Sequence, residues 1–369
     1  MATAAVSDFD PGRVNLSSPD FNLRQVICYV NNEGNEYNGH LGARVSSIFV
    51  ILVVSTAVTF FPVVAKRMPR LRIPLVVYQF ARMFGAGVII ATAFIHLLDP
   101  AYSEIGPATC VGLTGGWASY SWPPAIVLAS VMTIFLVDVS AERYVEMKYG
   151  VQDEPNIESL ITTGPDTNGT PAGTTQPDDN NAAATLSKKS LSSDDVDAKE
   201  LLLEHISFSQ QLGAFLILEF GVIFHSVIIG LNLGVAGDEF STLYPVLVFH
   251  QSFEGLGIGA RLSGISFPKK YRLLPYGLCL AYGLTTPIAI SIGLGLRTTY
   301  NPGSFTANVV SGVLDSISAG ILIYTGLVEF LARDFLFDPK VTRDLKSLIF
   351  KIGCLLLGAG IMALLGKWA

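Results

Sequence analysis

Long apolar stretches separated by short polar connections dominate the hydrophobic pattern of the chain. A bilayer core about 30 Å thick requires about 20 apolar residues of helix. Because lipid supplies no hydrogen-bonding partners, the backbone of such a stretch satisfies itself as a helix. The pattern therefore predicts an all-α integral membrane protein with a bundle of eight transmembrane helices, spans 1 to 8. These spans are residues 44–65, 76–98, 122–140, 209–235, 242–262, 273–296, 307–331 and 347–366.

Two regions lack this apolar pattern. Residues 1–43 are polar and contain no apolar core of a cleavable signal peptide, so we expect the first span to act as the signal. Residues 141–208 are rich in Ser, Thr, Asp, Asn and Gly, a composition that predicts disorder. The chain is therefore divided into an N-terminal segment (1–43), spans 1–3 (44–140), a disordered loop (141–208) and spans 4–8 (209–369).

Composition and charge agree with a membrane protein and give its orientation. Half of the residues are hydrophobic and 15% are charged, against about 25% charged in a soluble domain. The net charge of -6, without a basic domain, argues against nucleic acid as a partner. Lys and Arg are absent from the 2–3 and 4–5 connections and frequent in the 1–2, 3–4, 5–6 and 7–8 connections. The positive-inside rule then predicts both termini outside the cell and the 141–208 loop in the cytosol.

Ionisable side chains interrupt two neighbouring spans. His225 lies in span 4, and His250 and Glu254 lie in span 5. Such groups are costly in hydrocarbon, so they are expected to face a bundle interior or an aqueous path. His250 and Glu254 share a helix face, and His225 and His250 lie about 14 and 11 residues from the hinge at about Asp238–Glu239, which brings their depths within roughly 5 Å.

Two imidazoles and a carboxylate at one depth suit a divalent metal such as zinc. The alternative is that the same side chains only form hydrogen bonds between helices. Glycines in both spans are expected to let the two backbones approach closely. These glycines are Gly230, Gly234, Gly255, Gly257 and Gly259.

The motifs at these positions resemble the ZIP (ZRT/IRT-like) family of zinc and iron transporters, in its fungal and plant branch. The resemblance is carried by HSVIIGLNLG in span 4 and HQSFEGLGIGA in span 5. It extends to FGAGVIIATAFIHLL, YGLTTPIAISIGLG and SAGILIYTGLVEFLARDF in spans 2, 6 and 7. The long motifs occur in the family's order and cover most of the chain outside the two polar regions.

The resemblance implies a metal site and a way of working. The positions that match family ligands are His225, Ser226, His250, Gln251 and Glu254, of which Ser226 and Gln251 supply weaker neutral oxygens. Some relatives carry acidic residues at the positions of Ile229 and Gln251, so one main metal site is expected here. The resemblance also implies a homodimer in lipid, in which spans 1, 4, 5 and 6 slide against spans 2, 3, 7 and 8.

Other polar groups are candidates for the route of the metal. His96, Asp99 and Glu104 are a possible entrance, or else an interfacial histidine and solvated acids. Possible exit residues are Asp138, Glu142, Glu219 and Glu329. As alternatives, Glu219 pairs with Arg82 in span 2, and the other three anchor helix ends or pair with nearby arginines.

The cysteines and one sequon concern the outer face. Cys28 and Cys110 are both predicted outside, where disulfides persist, and form a possible disulfide; two separate thiols are the alternative. Cys279 and Cys354 lie within spans as packing residues. Asn15 begins an Asn-Leu-Ser acceptor for N-glycosylation, which favours the secretory route and the plasma membrane.

The functional hypothesis is a secondary transporter, not an enzyme, that moves Zn²⁺ into the cytosol by an elevator-type alternating-access mechanism. Zinc is its substrate, and no organic cofactor is expected. The chain contains no GxxxxGK[ST] loop of a nucleotide-driven pump. Ferrous iron or broad divalent-metal uptake is the first alternative, because His and Glu ligands suit both metals. An intramembrane zinc-dependent hydrolase is the second, and it requires an additional acid–base set.

Overall fold

The computed structural model describes residues 22–31, 37–68, 73–149, 193–336 and 345–368. Within these ranges the regular structure is entirely helical, so the all-α prediction is confirmed. Eight long helices overlap the predicted spans of the same number. They are α1 (Leu41–Arg67), α2 (Leu75–Ile105), α3 (Trp122–Tyr149), α4 (Ser193–Val235), α5 (Phe240–Gly264), α6 (Leu274–Gly295), α7 (Phe305–Tyr324, continued as a π-helix over Thr325–Leu336) and α8 (Leu345–Leu365).

Seven of the helices in the described ranges are long and apolar enough to cross a membrane. Helix α5 has sufficient length, with 25 residues, but is not among the seven. Its polar side chains His250, Gln251 and Glu254 lower the hydropathy of the middle of the helix. The helix that carries most of the candidate metal ligands is thus the one that hydropathy alone does not identify.

Helix ends differ from the predicted boundaries in three places. Helix α2 continues past residue 98 to Ile105. Helices α3 and α4 extend into the predicted 141–208 loop, ending at Tyr149 and beginning at Ser193. Hydropathy detects where the apolar face ends, whereas backbone hydrogen bonds continue the helix into polar sequence. The rest of that loop lies outside the described residues.

The long helices pack in two groups. Helix α1 packs against α5 and α6, and Ile51, Leu233, Leu247 and Ile290 join α1, α4, α5 and α6 in one apolar cluster. Helix α2 packs against α8 and α7, with Met362 of α8 inserted against α2. The two groups meet where α2 contacts α5. We refer to them below as the α1/α4/α5/α6 group and the α2/α7/α8 group.

Glycines allow the closest of these approaches, although their partners differ from those expected. A Cβ on Gly85 of α2 would lie 2.2 Å from the Cα of Gly257 in α5, so the two backbones touch. Instead of joining α4 to α5, the five predicted glycines face other helices. Gly230 and Gly234 pack on α6, Gly255 and Gly259 on Thr59 of α1, and Gly257 on α2. Periodicity shows that a glycine face exists but does not identify the helix that fills it.

The N-terminal part of the chain is attached at two points. A short helix, Leu23–Asn31, carries Cys28, which forms a disulfide with Cys110 in the α2–α3 connection. Further on, Asn38 donates a hydrogen bond of 2.7 Å to Asp238 in the α4–α5 connection. Arg44 of α1 is fully buried and donates to the backbone oxygens of Leu233, Gly234 and Ala236 at the end of α4. The start of α1 therefore fixes the C-terminal end of α4.

Candidate metal centre

Three buried side chains from α4 and α5 converge, and we call them the His–Glu group: His225, His250 and Glu254. The Nε2 atoms of His225 and His250 lie 3.2 Å apart. The Nε2 atom of His250 lies 3.5 Å from Oε1 of Glu254, one helical turn further along α5. Each residue offers a ligand atom within 4.8 Å of the other two. Spacing along the chain predicted that these three side chains converge, and in the structure they do.

The donor atoms fit a tetrahedral zinc ion. Two nitrogens each about 2.0–2.1 Å from zinc lie about 3.3 Å apart at the tetrahedral angle, and the two imidazole nitrogens are separated by 3.2 Å. Glu254 is fully buried, and its oxygens make no hydrogen bond of standard geometry, although His250 Nε2 lies 3.5 Å away and the Thr92 hydroxyl is close enough to interact. A buried carboxylate this weakly paired is strongly unfavourable unless a cation or a proton accompanies it. A bound cation therefore accounts for this carboxylate better than the alternative of hydrogen bonding between helices.

Ser226 and Gln251 are buried and follow His225 and His250 directly in the sequence. The Gln251 side-chain oxygen accepts a hydrogen bond of 2.8 Å from the hydroxyl of Tyr282 in α6. That oxygen is already occupied, so Gln251 orients α5 against α6 in this structure. The Ser226 hydroxyl is buried and has no hydrogen-bond partner. Tyr282 was not singled out in the sequence, since one tyrosine in an apolar span gives no signal.

His96 lies deeper than predicted. The sequence placed it at the outer end of span 2, but α2 continues for nine residues beyond it, to Ile105. A π-helical segment, Thr92–Leu98, holds its buried ring edge-on against His250, with ring centroids 4.6 Å apart. One His96 nitrogen lies 3.0 Å from the backbone oxygen of Met362 in α8. His96 is therefore a neighbour of the His–Glu group rather than a residue at the membrane surface.

A cavity of about 300 Å³ leads to the His–Glu group and includes all three predicted entrance residues. His96, Asp99 and Glu104 line it together with His225 and His250. Two further acidic residues, Glu239 and Asp315, line the same space. Asp315 is a carboxylate that the sequence reasoning missed. The available signal was a single acidic residue inside the apolar run SGVLDSISAG, the same kind of signal that revealed Glu254.

The predicted exit residues have different surroundings. Glu329 contacts Arg333 at 3.0 Å and Arg261 at 3.6 Å, which agrees with the alternative that it pairs with arginines. Glu219 is buried, and its Oε1 atom has no hydrogen-bond partner. Asp138 is half-buried and Glu142 is exposed. Arg82, the proposed partner of Glu219, lines a separate small cavity with Arg261 and Phe330. Asn15 lies outside the described residues.

Comparison with known proteins extends the similarity over almost the whole chain. The family model described as "ZIP Zinc transporter" matches residues 41–366. Zinc-regulated transporter 1 of Saccharomyces cerevisiae is 56% identical over 98% of this chain and 97% of its own length. Zinc-regulated transporter 1 of Schizosaccharomyces pombe is 41% identical over 92% of this chain and 88% of its own length.

A plant relative gives the same result at lower identity. Zinc transporter 9 of Oryza sativa is 32% identical over 93% of each chain. The family match spans all eight long helices, since it starts at the first residue of α1 and ends just after α8. The N-terminal segment lies outside the match. On this match and these identities, the chain belongs to the ZIP zinc transporter family.

Proposed function

We propose that this protein is a secondary transporter that carries Zn²⁺ across the membrane into the cytosol through the His–Glu group. The observation that carries the proposal is Glu254, a fully buried carboxylate that makes no hydrogen bond of standard geometry and lies 3.5 Å from an imidazole that a second imidazole faces. The relatives named as zinc-regulated transporters support zinc as the substrate. The hydrolase alternative is dropped because the relatives are named as transporters.

The ligand set suits a metal that must be released again. Two neutral imidazoles and one carboxylate leave a bound Zn²⁺ with a net positive charge in a buried site, so the site does not compensate its cargo fully. Imidazole must be neutral to bind a metal, so protonation of His225 or His250 competes with the ion. Ile229 stands where some relatives place an acid, and it lines the cavity. This apolar side chain supports one main ion in the His–Glu group.

For the movement, we propose that the α1/α4/α5/α6 group slides as one unit against α2, α3, α7 and α8. The packing supports this division in part: one apolar cluster lies within α1, α4, α5 and α6, and a second joins α2 to α8, with Phe253 and Leu256 of α5 packed against it. At the boundary between α2 and α5, Gly85 and Gly257 bring the two backbones into contact, and Phe84 and Phe253 pack edge to face beside them. A homodimer that anchors the stationary unit in the membrane is part of the proposal. One side of α3 packs on α7, where Ser130 donates a hydrogen bond to the backbone oxygen of Ile317. The 18-residue apolar window of α3 contains no buried residue, so its other sides can contact lipid or a second copy.

For orientation, we propose both termini outside the cell and the loop within 141–208 in the cytosol, in the plasma membrane. The Lys and Arg distribution supports it. An epitope tag at residues 160–190 should bind antibody only after permeabilisation. Labelling of intact cells would contradict this orientation and indicate the reverse one.

Mass spectrometry of unreduced protein should give a peptide joining Cys28 to Cys110, and two separately alkylated thiols would contradict the disulfide.

Purified protein in liposomes tests the function. Initial zinc uptake should fall to background in His225→Ala, His250→Ala and Glu254→Ala, and pairs of these substitutions should add little, because a site that has lost one ligand has little left to lose. His40→Asn is the matched control, since His40 is exposed at the start of α1 with a φ of 51° that Asn tolerates. Ferrous iron added as competitor measures the preference between the two metals. Near-normal uptake in any single ligand variant would overturn the assignment.

A further inference from the structure

A second pair of carboxylates lies in the cavity, apart from the His–Glu group, and we call it the outer pair: Glu104 and Asp315. Asp315 is in α7 and is 2% exposed. Glu104 is near the end of α2, about two turns along the helix from His96. Gly312, one turn before Asp315, packs on Glu104, where a Cβ on the glycine would lie 3.2 Å from the Cβ of Glu104. The two carboxylates are close enough for their charges to interact.

Neither carboxylate is fully paired. The Oδ1 atom of Asp315 and the Oε2 atom of Glu104 are buried and have no hydrogen-bond partner. Both residues line the cavity that leads to His225 and His250. No Lys or Arg is among the described residues that line this cavity. Two buried like charges with unsatisfied oxygens are unfavourable unless a cation or a shared proton accompanies them.

We infer that Glu104 and Asp315 form a second divalent-cation site, separate from the His–Glu group and reached first from the mouth of the cavity. This inference rests on the proposed transport function. The outer pair supplies only carboxylate oxygens, which suit divalent cations with little discrimination between them. The His–Glu group supplies two nitrogens and is the more selective of the two. The outer pair concentrates ions, and the His–Glu group selects among them.

The positions of the two sites in the fold give them different tasks. Glu104 and Asp315 belong to the α2/α7/α8 group, whereas all three residues of the His–Glu group lie on α4 and α5. An ion at the outer pair therefore stays with one group of helices while an ion at the His–Glu group travels with the other. Two cations in one cavity repel each other, so arrival of the second lowers the affinity for the first. Occupation of the outer pair thus drives the ion beneath it forward.

Equilibrium binding of radioactive zinc to the purified full-length protein tests the inference. The wild type should bind two ions, Asp315→Asn and Glu104→Gln one each, and His225→Ala one. Asp315→Asn combined with His225→Ala should bind none. Ser103→Ala is the matched control, because Ser103 is an exposed polar residue next to Glu104 on the same helix and does not line the cavity. Thermal unfolding without zinc shows whether each variant is folded, and the two outer-pair variants lie on different helices, so one misfolded variant leaves the other informative.

Uptake kinetics supply a second readout. Loss of the outer pair should raise the KM for zinc about tenfold and leave kcat within about twofold, because the ion is captured less well but carried as before. Unchanged stoichiometry and KM in both Asp315→Asn and Glu104→Gln would show that the pair shares a proton, and would overturn the inference while leaving the proposed function intact. Binding that depends on Asp315 but not on His225 would instead overturn the proposed function alone.

Discussion

Helices α3 and α5 are of similar length, 28 and 25 residues, yet hydropathy and burial rank them in opposite order. The apolar window of α3 has a mean hydropathy of 2.0, and none of it is buried. Helix α5 falls outside the seven sufficiently apolar helices of the described chain, and its His250 and Glu254 are fully buried. In a membrane the apolar solvent is outside, so the more apolar of these two helices faces lipid and the more polar one is enclosed. Polarity within a span therefore marks the interior of this protein.

The largest expected effect compares one acid from each helix. Glu254→Gln keeps the shape of the side chain and removes its charge, so zinc uptake per molecule should fall at least about 100-fold. Glu142→Gln, at the exposed end of α3, should leave uptake within about twofold of wild type. Uptake into liposomes, normalised to reconstituted protein, measures both. Equal losses would mean that burial does not separate the two helices by function.

A smaller effect is expected at the backbone contact of α5. A Cβ on Gly257 would lie 2.9 Å from the Cα of Gly85, so Gly257→Ala forces α2 and α5 apart at a cost of about 1–3 kcal/mol. We expect uptake to fall about tenfold, because the displaced boundary shifts the ligands. Gly264→Ala, in the same helix with open space around it, is the control and should behave as wild type. Matching behaviour of the two variants would remove the close contact from the mechanism.

The smallest effect on transport is expected from leucines. Leu247 of α5 is 3% exposed and lies in the cluster with Ile51, so Leu247→Ala should cost about 2–5 kcal/mol of stability. Leu128 of α3 is 62% exposed, and Leu128→Ala should lower stability by less than about 1 kcal/mol. Thermal unfolding in detergent measures the difference. A strongly destabilised Leu128→Ala would show that α3 is buried against protein, as in a tightly packed dimer.

The sequence predicted the helices and the convergence of the His–Glu side chains for separate reasons. Bilayer thickness imposes a length on every span, so hydropathy gives the positions of most helices, although α5 is less apolar than the other seven. His225, His250 and Glu254 stand out because ionisable residues are rare in spans, and helix geometry gives their relative depth. Their partners were harder to predict. The helices that fill the glycine faces depend on how the spans pack, which one-dimensional periodicity does not contain.

Two residues of the cavity show where the prediction stopped. The predicted depth of His96 was wrong because α2 continues beyond its apolar stretch, and a polar helix end has no hydropathy signal. Asp315 was missed although its single carboxylate in an apolar run resembles Glu254. It lacks a second ionisable residue one turn away, so no spacing argument singled it out. Its partner, Glu104, comes from a helix more than 200 positions earlier in the chain, and only the fold brings the two together.

The π-helical segment Thr92–Leu98 has wider turns than an α-helix, so it acts as a one-residue insertion in α2. In a regular α-helix, residues eight apart such as His96 and Glu104 differ by about 80° around the axis, whereas residues seven apart differ by about 20°. Because the π-helical segment absorbs about one residue, the side chains of His96 and Glu104 line the same cavity. A homologue with one residue fewer in this stretch would keep the same hydropathy profile and span the bilayer as well. It would nevertheless turn its counterpart of Glu104 away from the cavity. A one-residue deletion in this segment of a homologous sequence therefore predicts that the homologue lacks the outer pair.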